Sequence, residues 1–115
     1  MGAAYSVATA FVKALAMKPP EAWTDLDLTA AREVLTRVLH ADLAYNTPMM
    51  TVETADALAR RFLACCGDAP VFVTNGSLAL TPTGAWSPLT DATFDTGVIA
   101  VSDTRVGMLW AEDED

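Results

Sequence analysis

Hydrophobic residues in the first half of the chain recur at the three- and four-residue spacing of amphipathic helices. Residues 3–17 predict the first helix, which Pro19 and Pro20 end because the residue before a proline disfavours helical backbone. The second helix is predicted to begin at Thr24, whose hydroxyl would cap it, with Asp27 in the capping-box position. Each helix has one apolar side, which must pack against another element of the fold.

The third helix has two candidate starting points. It begins either at Thr47, which would put Pro48 at the first helical position, or at Thr51. Its apolar positions run through residues 52–63, and Gly67 supplies a left-handed stop. The first half of the chain is therefore predicted to be helical.

After the third helix the hydrophobic period becomes that of strands. Residues 71–74 and 77–80 are apolar runs that flank Asn75 and Gly76. Asn-Gly is the strongest short signal for a two-residue hairpin, because both central residues of a type I′ turn need positive φ. The sequence therefore predicts a first hairpin with its turn at these two residues.

A second hairpin is predicted after a long loop at residues 81–97, from strands at 98–101 and 105–111. The resulting fold class is α+β, with three N-terminal helices packed on one face of a four-stranded antiparallel sheet built from two C-terminal hairpins. Residues 1–111 are expected to form a single domain, and residues 112–115 an acidic C-terminal tail.

Both faces of the last two predicted strands are apolar. Val98 and Ala100 point away from Ile99 and Val101, so neither side of this strand is polar. A sheet that is covered on one face should alternate apolar and polar residues. Because the helices are expected to cover one face only, the other face needs the 81–97 loop, a second copy in a homodimer, or a different protein.

Charge narrows the classes of partner. Fifteen acidic and seven basic residues give a net charge of −8 and a pI of about 4.3. Nucleic-acid binding is not expected, because it needs several phosphate contacts from Lys and Arg. The N-terminal apolar stretch is interrupted by Lys13 and is too short to span a bilayer, so no membrane association is expected. The only cysteines, Cys65 and Cys66, are adjacent and form no disulfide framework, which favours a cytoplasmic location.

Candidate catalytic and metal-binding residues are few. His40 is the only histidine, and the helical pattern places it on the outer side of the second helix. Cys65 and Cys66 continue the buried side of the third helix at its C-terminal end, where the helix dipole opposes a thiolate. Residues 91–97 resemble a calcium loop, but their glycine occupies the seventh position instead of the sixth. The sequence therefore predicts no metal and no cofactor, and its case for an enzyme is thin. A catalytic site would have to use His40 or carboxylates across a dimer interface.

The candidate partner-binding residues are acidic, with one aromatic. Four acids end the chain directly after an apolar strand, an acid lies in the turn before that strand, and a tryptophan lies in the long loop. These residues are Glu112, Asp113, Glu114, Asp115, Asp103 and Trp86. Carboxylates at this density attract cationic protein surfaces, and tryptophan is enriched among binding hot spots.

Two binding functions are compatible with this pattern. The first is a small acidic non-catalytic interaction protein that binds, and inhibits or neutralises, a basic protein partner. Immunity proteins, antitoxins and phage-encoded inhibitors share this profile of size and charge, although no motif links the chain to any of them. The alternative is a dimeric small-molecule-binding module with a pocket between the sheet and the 81–97 loop.

Overall fold

The computed structural model describes residues 2–81 and 84–114. In this part of the chain it contains three helices and four strands: α1 (Gly2–Ala14), β1 (Thr24–Leu26), α2 (Leu28–His40), α3 (Val52–Ala64), β2 (Val71–Thr74), β3 (Phe94–Val101) and β4 (Val106–Asp113). The strands form one antiparallel sheet in the order β1-β2-β3-β4. The predicted α+β class, with three helices and a four-stranded antiparallel sheet, is confirmed. No helix in the described residues has the length and apolar character that a membrane span requires.

Helices cover both faces of the sheet, whereas the sequence predicted helices on one face. The core on the side of α2 and α3 contains Ala31, Val34, Leu35, Val38, Ala59, Phe72, Val98 and Ala100. The core on the side of α1 contains Ala4, Ala8, Val12, Val73, Leu89, Ile99 and Val101. Between α1 and α2 the chain forms β1 at one edge of the sheet, and the two helices pack on opposite faces.

This arrangement explains why β3 is apolar on both sides. Val98 faces α2 and Ile99 faces α1, and both are 0% exposed. Burying an aliphatic side chain of this size contributes about 1.5–3 kcal/mol. The apolar face that the sequence left without a cover is filled by α1 and by Leu89 of the predicted loop, so residues 98–101 of β3 offer no apolar surface to a partner.

The predicted hairpin at Asn75 and Gly76 is wrong. Positive φ among the described non-glycine residues occurs at Ala16, Asn46 and Ala69, and Asn75 does not adopt it. The amide of Asn75 is instead bonded to β3, a long-range contact that outweighs the local turn preference. β2 therefore pairs with β1 and β3, and the predicted strand at residues 77–80 is a turn.

The start of α2 differs from the prediction because Thr24 belongs to the sheet. Thr24 lies in β1 opposite Thr74, so it is not the cap of α2. Asp27 caps α2 instead, accepting a hydrogen bond of 2.7 Å from the backbone N–H of Ala30. For α3 the later of the two candidate starts is confirmed, because Thr51 is its N-cap.

The last two strands are longer than the apolar pattern indicated. β3 begins at Phe94, and β4 continues to Asp113, so that the two strands pair residue by residue over eight positions. Glu112 and Asp113, predicted as the beginning of an acidic tail, are strand residues. Their backbone positions are therefore fixed by the ladder.

Candidate acidic interaction surface

Three of the predicted partner-binding acids lie together at the C-terminal end of β4. Glu112, Asp113 and Glu114 line an open cavity of about 590 Å³ with Asp91 and Ala92 from the loop before β3. We refer to Asp91, Glu112, Asp113 and Glu114 as the acidic surface. Asp91 was not among the predicted residues, because the contact joins positions 21 or more residues apart that no sequence pattern connects.

Asp113 fastens this end of the sheet to the loop between α2 and α3. Its Oδ2 accepts hydrogen bonds from the backbone N–H groups of Leu43 at 3.0 Å and Ala44 at 3.1 Å, and its Oδ1 from that of Glu114 at 2.9 Å. The N–H of Ala44 above all, with those of Glu114 and Leu43, holds the pKa of Asp113 below its ordinary value. The carboxylate thus stays ionised and anchors the acidic surface.

The other members of the acidic surface keep exposed charge. Glu112, Glu114 and Asp91 are exposed, and Glu114 accepts a hydrogen bond of 2.8 Å from the hydroxyl of Thr93. A neighbouring cavity of about 610 Å³, which shares Asp91 and Glu112, has one basic lining residue, Lys18. Carboxylates therefore outnumber basic side chains here, and the local potential is negative.

Trp86 packs against its own chain at the start of β3. Its ring stacks on Phe94 with the centroids 5.6 Å apart and the planes inclined by 29°. Phe94 is in turn the ladder partner of Asp113. The structure therefore connects half-buried Trp86 to Asp113 through Phe94, by an aromatic contact that sequence spacing did not reveal.

Asp103 does not join this group. It lies in the turn between β3 and β4, beside the pair Val101 and Val106, whereas Asp113 ends the ladder opposite Phe94. Seven steps along a strand separate the two ends by about 24 Å. The expectation that Asp103 adds charge to the terminal acids is therefore wrong on geometry. Asp115 lies outside the described residues.

A buried carboxylate behind the acidic surface went unrecognised in the sequence. Asp95 is 0% exposed, and it lies in the stretch that resembles a calcium loop. Its carboxylate accepts hydrogen bonds from backbone or side-chain donors of Leu89, Thr90, Asn75 and Trp110. Within the described residues, no group of three or more His, Cys, Asp or Glu side chains is placed to hold a metal ion. Asp95 thus organises the loop and β3 through protein donors.

Histidine and the cysteines have packing roles. The Nδ1 of half-buried His40 lies 2.6 Å from the carbonyl oxygen of Met50, a hydrogen bond that connects the end of α2 to the segment before α3. Cys66 is buried and its Sγ donates to the carbonyl of Phe62. Burial, followed by the neighbouring Cys65, raises the pKa of the Cys66 thiol, which disfavours a nucleophilic thiolate. Cys65 is exposed, whereas the sequence placed it in the core.

The predicted loop at residues 81–97, of which 82 and 83 lie outside the described part, packs directly on the sheet. Leu89 is 1% exposed and belongs to the core under α1. The open cavity of about 610 Å³ lies at the margin of this loop, between residues 15–18 at the end of α1 and residues 88–91. A small molecule would therefore meet the loop from its outer side.

Comparison of the chain with protein-family models, with curated proteins and with solved structures gives no match.

Proposed function

We propose that this protein is a non-catalytic interaction protein that binds, and thereby inhibits or neutralises, a basic protein partner. The acidic surface is the binding site. The observation that carries the proposal is the bonding of Asp113, whose three backbone donors hold the end of the strand on which the exposed Glu112 and Glu114 flank it. Charges held in place in this way lose less conformational entropy on binding than those of a flexible tail.

Binding proceeds by electrostatic steering followed by local contact. A net charge of −8 attracts a cationic partner, and the exposed carboxylates of Asp91, Glu112 and Glu114 orient the encounter. The stacked rings of Trp86 and Phe94 border the acids and supply the apolar contact that slows dissociation. Lys and Arg side chains of the partner pair with the carboxylates.

A cytoplasmic location is part of this proposal. Both cysteines are free thiols, and one of them, Cys65, is exposed. Exposed thiols persist in reducing compartments and become oxidised outside the cell. The partner is therefore sought among basic proteins of the cytoplasm.

The proposal is tested with the immobilised chain in an extract of its own cells. The variant Glu112→Gln/Glu114→Gln removes two charges from the acidic surface, and Glu33→Gln/Glu53→Gln removes two exposed charges from the helices as a matched control. We expect the unchanged chain and the control to retain the same basic protein, and the acidic-surface variant to lose it. Retention of no basic protein, or equal retention by all three chains, would contradict the proposal.

Small-molecule binding is a second candidate, and it is supported by the cavity beside Lys18. Its volume of about 610 Å³ lies within the usual range for ligand sites, and Leu15, Met17 and Leu89 contribute apolar lining. A thermal-shift screen against metabolites separates the two functions. A metabolite that stabilises the unchanged chain but not Lys18→Ala would favour this candidate, provided that no basic protein is retained.

A further inference from the structure

The strand β4 forms a long open edge of the sheet. Within residues 2–81 and 84–114, β3 is the only strand that pairs with β4. β4 contains neither proline nor lysine, and its ladder with β3 runs through eight consecutive pairs without a bulge. Natural proteins usually protect exposed edges with such devices, because an open edge recruits another strand. The opposite edge, β1, has only three residues.

The alternation of the ladder shows which backbone groups of β4 face outward. The N–H of Ser102 donates to the carbonyl of Arg105 at 2.9 Å, so these two residues form a hydrogen-bonded pair. The next pair, Val101 and Val106, is then of the non-hydrogen-bonded type. Every second residue of β4 from Val106 therefore points its N–H and C=O away from β3. These residues are Val106, Met108, Trp110 and Glu112.

A contact on the far side of β3 agrees with this assignment. The alternation directs the carbonyl of Asp95 away from β4, and this carbonyl accepts a hydrogen bond of 3.0 Å from Asn75, which follows β2. The outward row of β4 thus comprises four donors and four acceptors in regular order.

We infer that the occupant of this edge is a second copy of the chain, whose β4 pairs antiparallel with the first around a two-fold axis at Leu109. In this register Met108, whose backbone N–H and C=O face outward, lies opposite the partner's Trp110. Both side chains are half-buried on the α1 side of the sheet, so a thioether meets an aromatic ring there. Arg105 lies opposite the partner's Asp113 on the same face of the sheet, so that the dimer contains two such pairs of opposite charges. Arg105 keeps the hydrogen bond of 3.0 Å from its Nη1 to the carbonyl of Cys65, and Asp113 keeps its backbone donors, so the attraction adds to these bonds without replacing them. The result is a continuous eight-stranded sheet.

The sequence of β4 favours its own copy over a foreign strand. The axis places Leu109 against the partner's Leu109, and symmetry repeats both the Met108–Trp110 and the Arg105–Asp113 contacts. A foreign strand would have to reproduce all of them. Since every edge bond comes from β4 itself, this dimer does not depend on the proposed binding of a basic protein.

Sedimentation equilibrium of the purified chain tests the inference. We expect a mass twice the 12.2 kDa of one chain. Met108→Pro removes an outward N–H from each copy without removing a bond to β3, and should weaken the dimer roughly tenfold or more. Asp25→Pro, at an outward position of the other edge by the same alternation, is the control. It also removes the exposed hydrogen bond of 2.8 Å from the Tyr5 hydroxyl, and it should leave the dimer intact. A monomer at every concentration, or a dimer of folded Met108→Pro with unchanged affinity, would overturn the inference.

Disulfide trapping tests the register of the β4–β4 pairing. It also tests whether the dimer forms at all if Met108→Pro fails to fold. With exposed Cys65 replaced by Ser, Leu109→Cys places two thiols on the axis at a spacing that a disulfide can bridge. Ala111→Cys places its thiol opposite the partner's Gly107, away from a second thiol. We expect mild oxidation to give a covalent dimer for Leu109→Cys only. Absence of that dimer, or equal trapping of Ala111→Cys, would refute the proposed pairing.

Discussion

The side-chain amide of Asn75 donates to Asp95 twice, to its main-chain oxygen at 3.0 Å and to its carboxylate at 3.3 Å. These residues are 2% and 0% exposed. The contact joins the end of β2 to the start of β3. The same amide also donates to the carbonyl of Ser87, and its oxygen accepts from the hydroxyl of Thr96. Asn75 therefore holds together the region that lies behind the acidic surface.

Asn75→Ala should lower the free energy of unfolding by about 2–3 kcal/mol, because it leaves buried acceptors and a buried hydroxyl without their partner. Urea denaturation followed by circular dichroism measures the change. Asn46→Gly is the control, since Asn46 is exposed and has a φ of 56° that glycine adopts readily. A loss below 1 kcal/mol, roughly that of a surface change, would show that the network is not stabilising.

Asp95→Asn should destabilise the fold by about 1.5–3 kcal/mol. The asparagine keeps the shape of the side chain, but its NH₂ group would face donors such as the indole N–H of Trp110, which lies 3.1 Å from Oδ1. Asp103→Asn, in the exposed turn, serves as a control and should change stability by less than about 0.5 kcal/mol. Equal unfolding midpoints for the two variants would contradict the structural role of Asp95.

Two glycines in adjacent strands should respond differently to a methyl group. In Gly97→Ala the new Cβ would overlap the carbonyl oxygen of Leu109 and lie 2.8 Å from the Cα of Trp110. Both are backbone atoms of β4, which cannot move aside as the end of a flexible side chain would. Such overpacking costs about 1–3 kcal/mol. In Gly107→Ala the nearest atoms, in the ring of Phe62, lie 3.8 Å away, so the change should be tolerated. Thermal unfolding compares them, and the reverse order would contradict the β3–β4 packing.

Asp113 should give the stability of the protein a dependence on acid pH. Its pKa in the folded protein lies below the ordinary 3.8, so its contribution is complete above that value and is lost as the pH falls through the lowered pKa. Asp113→Asn should therefore unfold at a lower temperature than the unchanged protein at neutral pH, and the gap should close in strong acid. Thermal unfolding across this range measures it. A difference in unfolding temperature between Asp113→Asn and the unchanged protein that stays constant with pH would contradict the ionised anchor. Glu112→Gln changes an exposed side chain and serves as the control, which should unfold at the same temperature as the unchanged protein.

The helices could be predicted because their apolar residues follow a clear period, and the last two strands because apolar runs flank a short polar turn at residues 102–104. β1 could not, since three residues are too few to establish one, and their pairing with β2 depends on residues about 50 positions away. Missing β1 also concealed how α1 and α2 come to opposite faces. The Asn-Gly turn failed for a related reason, because Asn75 bonds to Asp95, 20 positions along the chain.

The candidate site was predicted in part. The density of acids at positions 112–114 is visible in the sequence, and the structure places them together with Asp91. The anchoring of Asp113 by Leu43 and Ala44 is a backbone contact across 69 and 70 positions, which no side-chain pattern encodes. The separation of Asp103 follows from the length of the β3–β4 ladder.

The most direct test of the central claim is a map of backbone amide chemical shifts on titration with a peptide of alternating lysine and glycine. We predict the largest changes at Asp91, Glu112 and Glu114 and at the indole of Trp86, with smaller changes at exposed acids of the helices such as Glu33. Changes that are largest on the helices, or equal at all exposed acids, would contradict the acidic surface as the binding site.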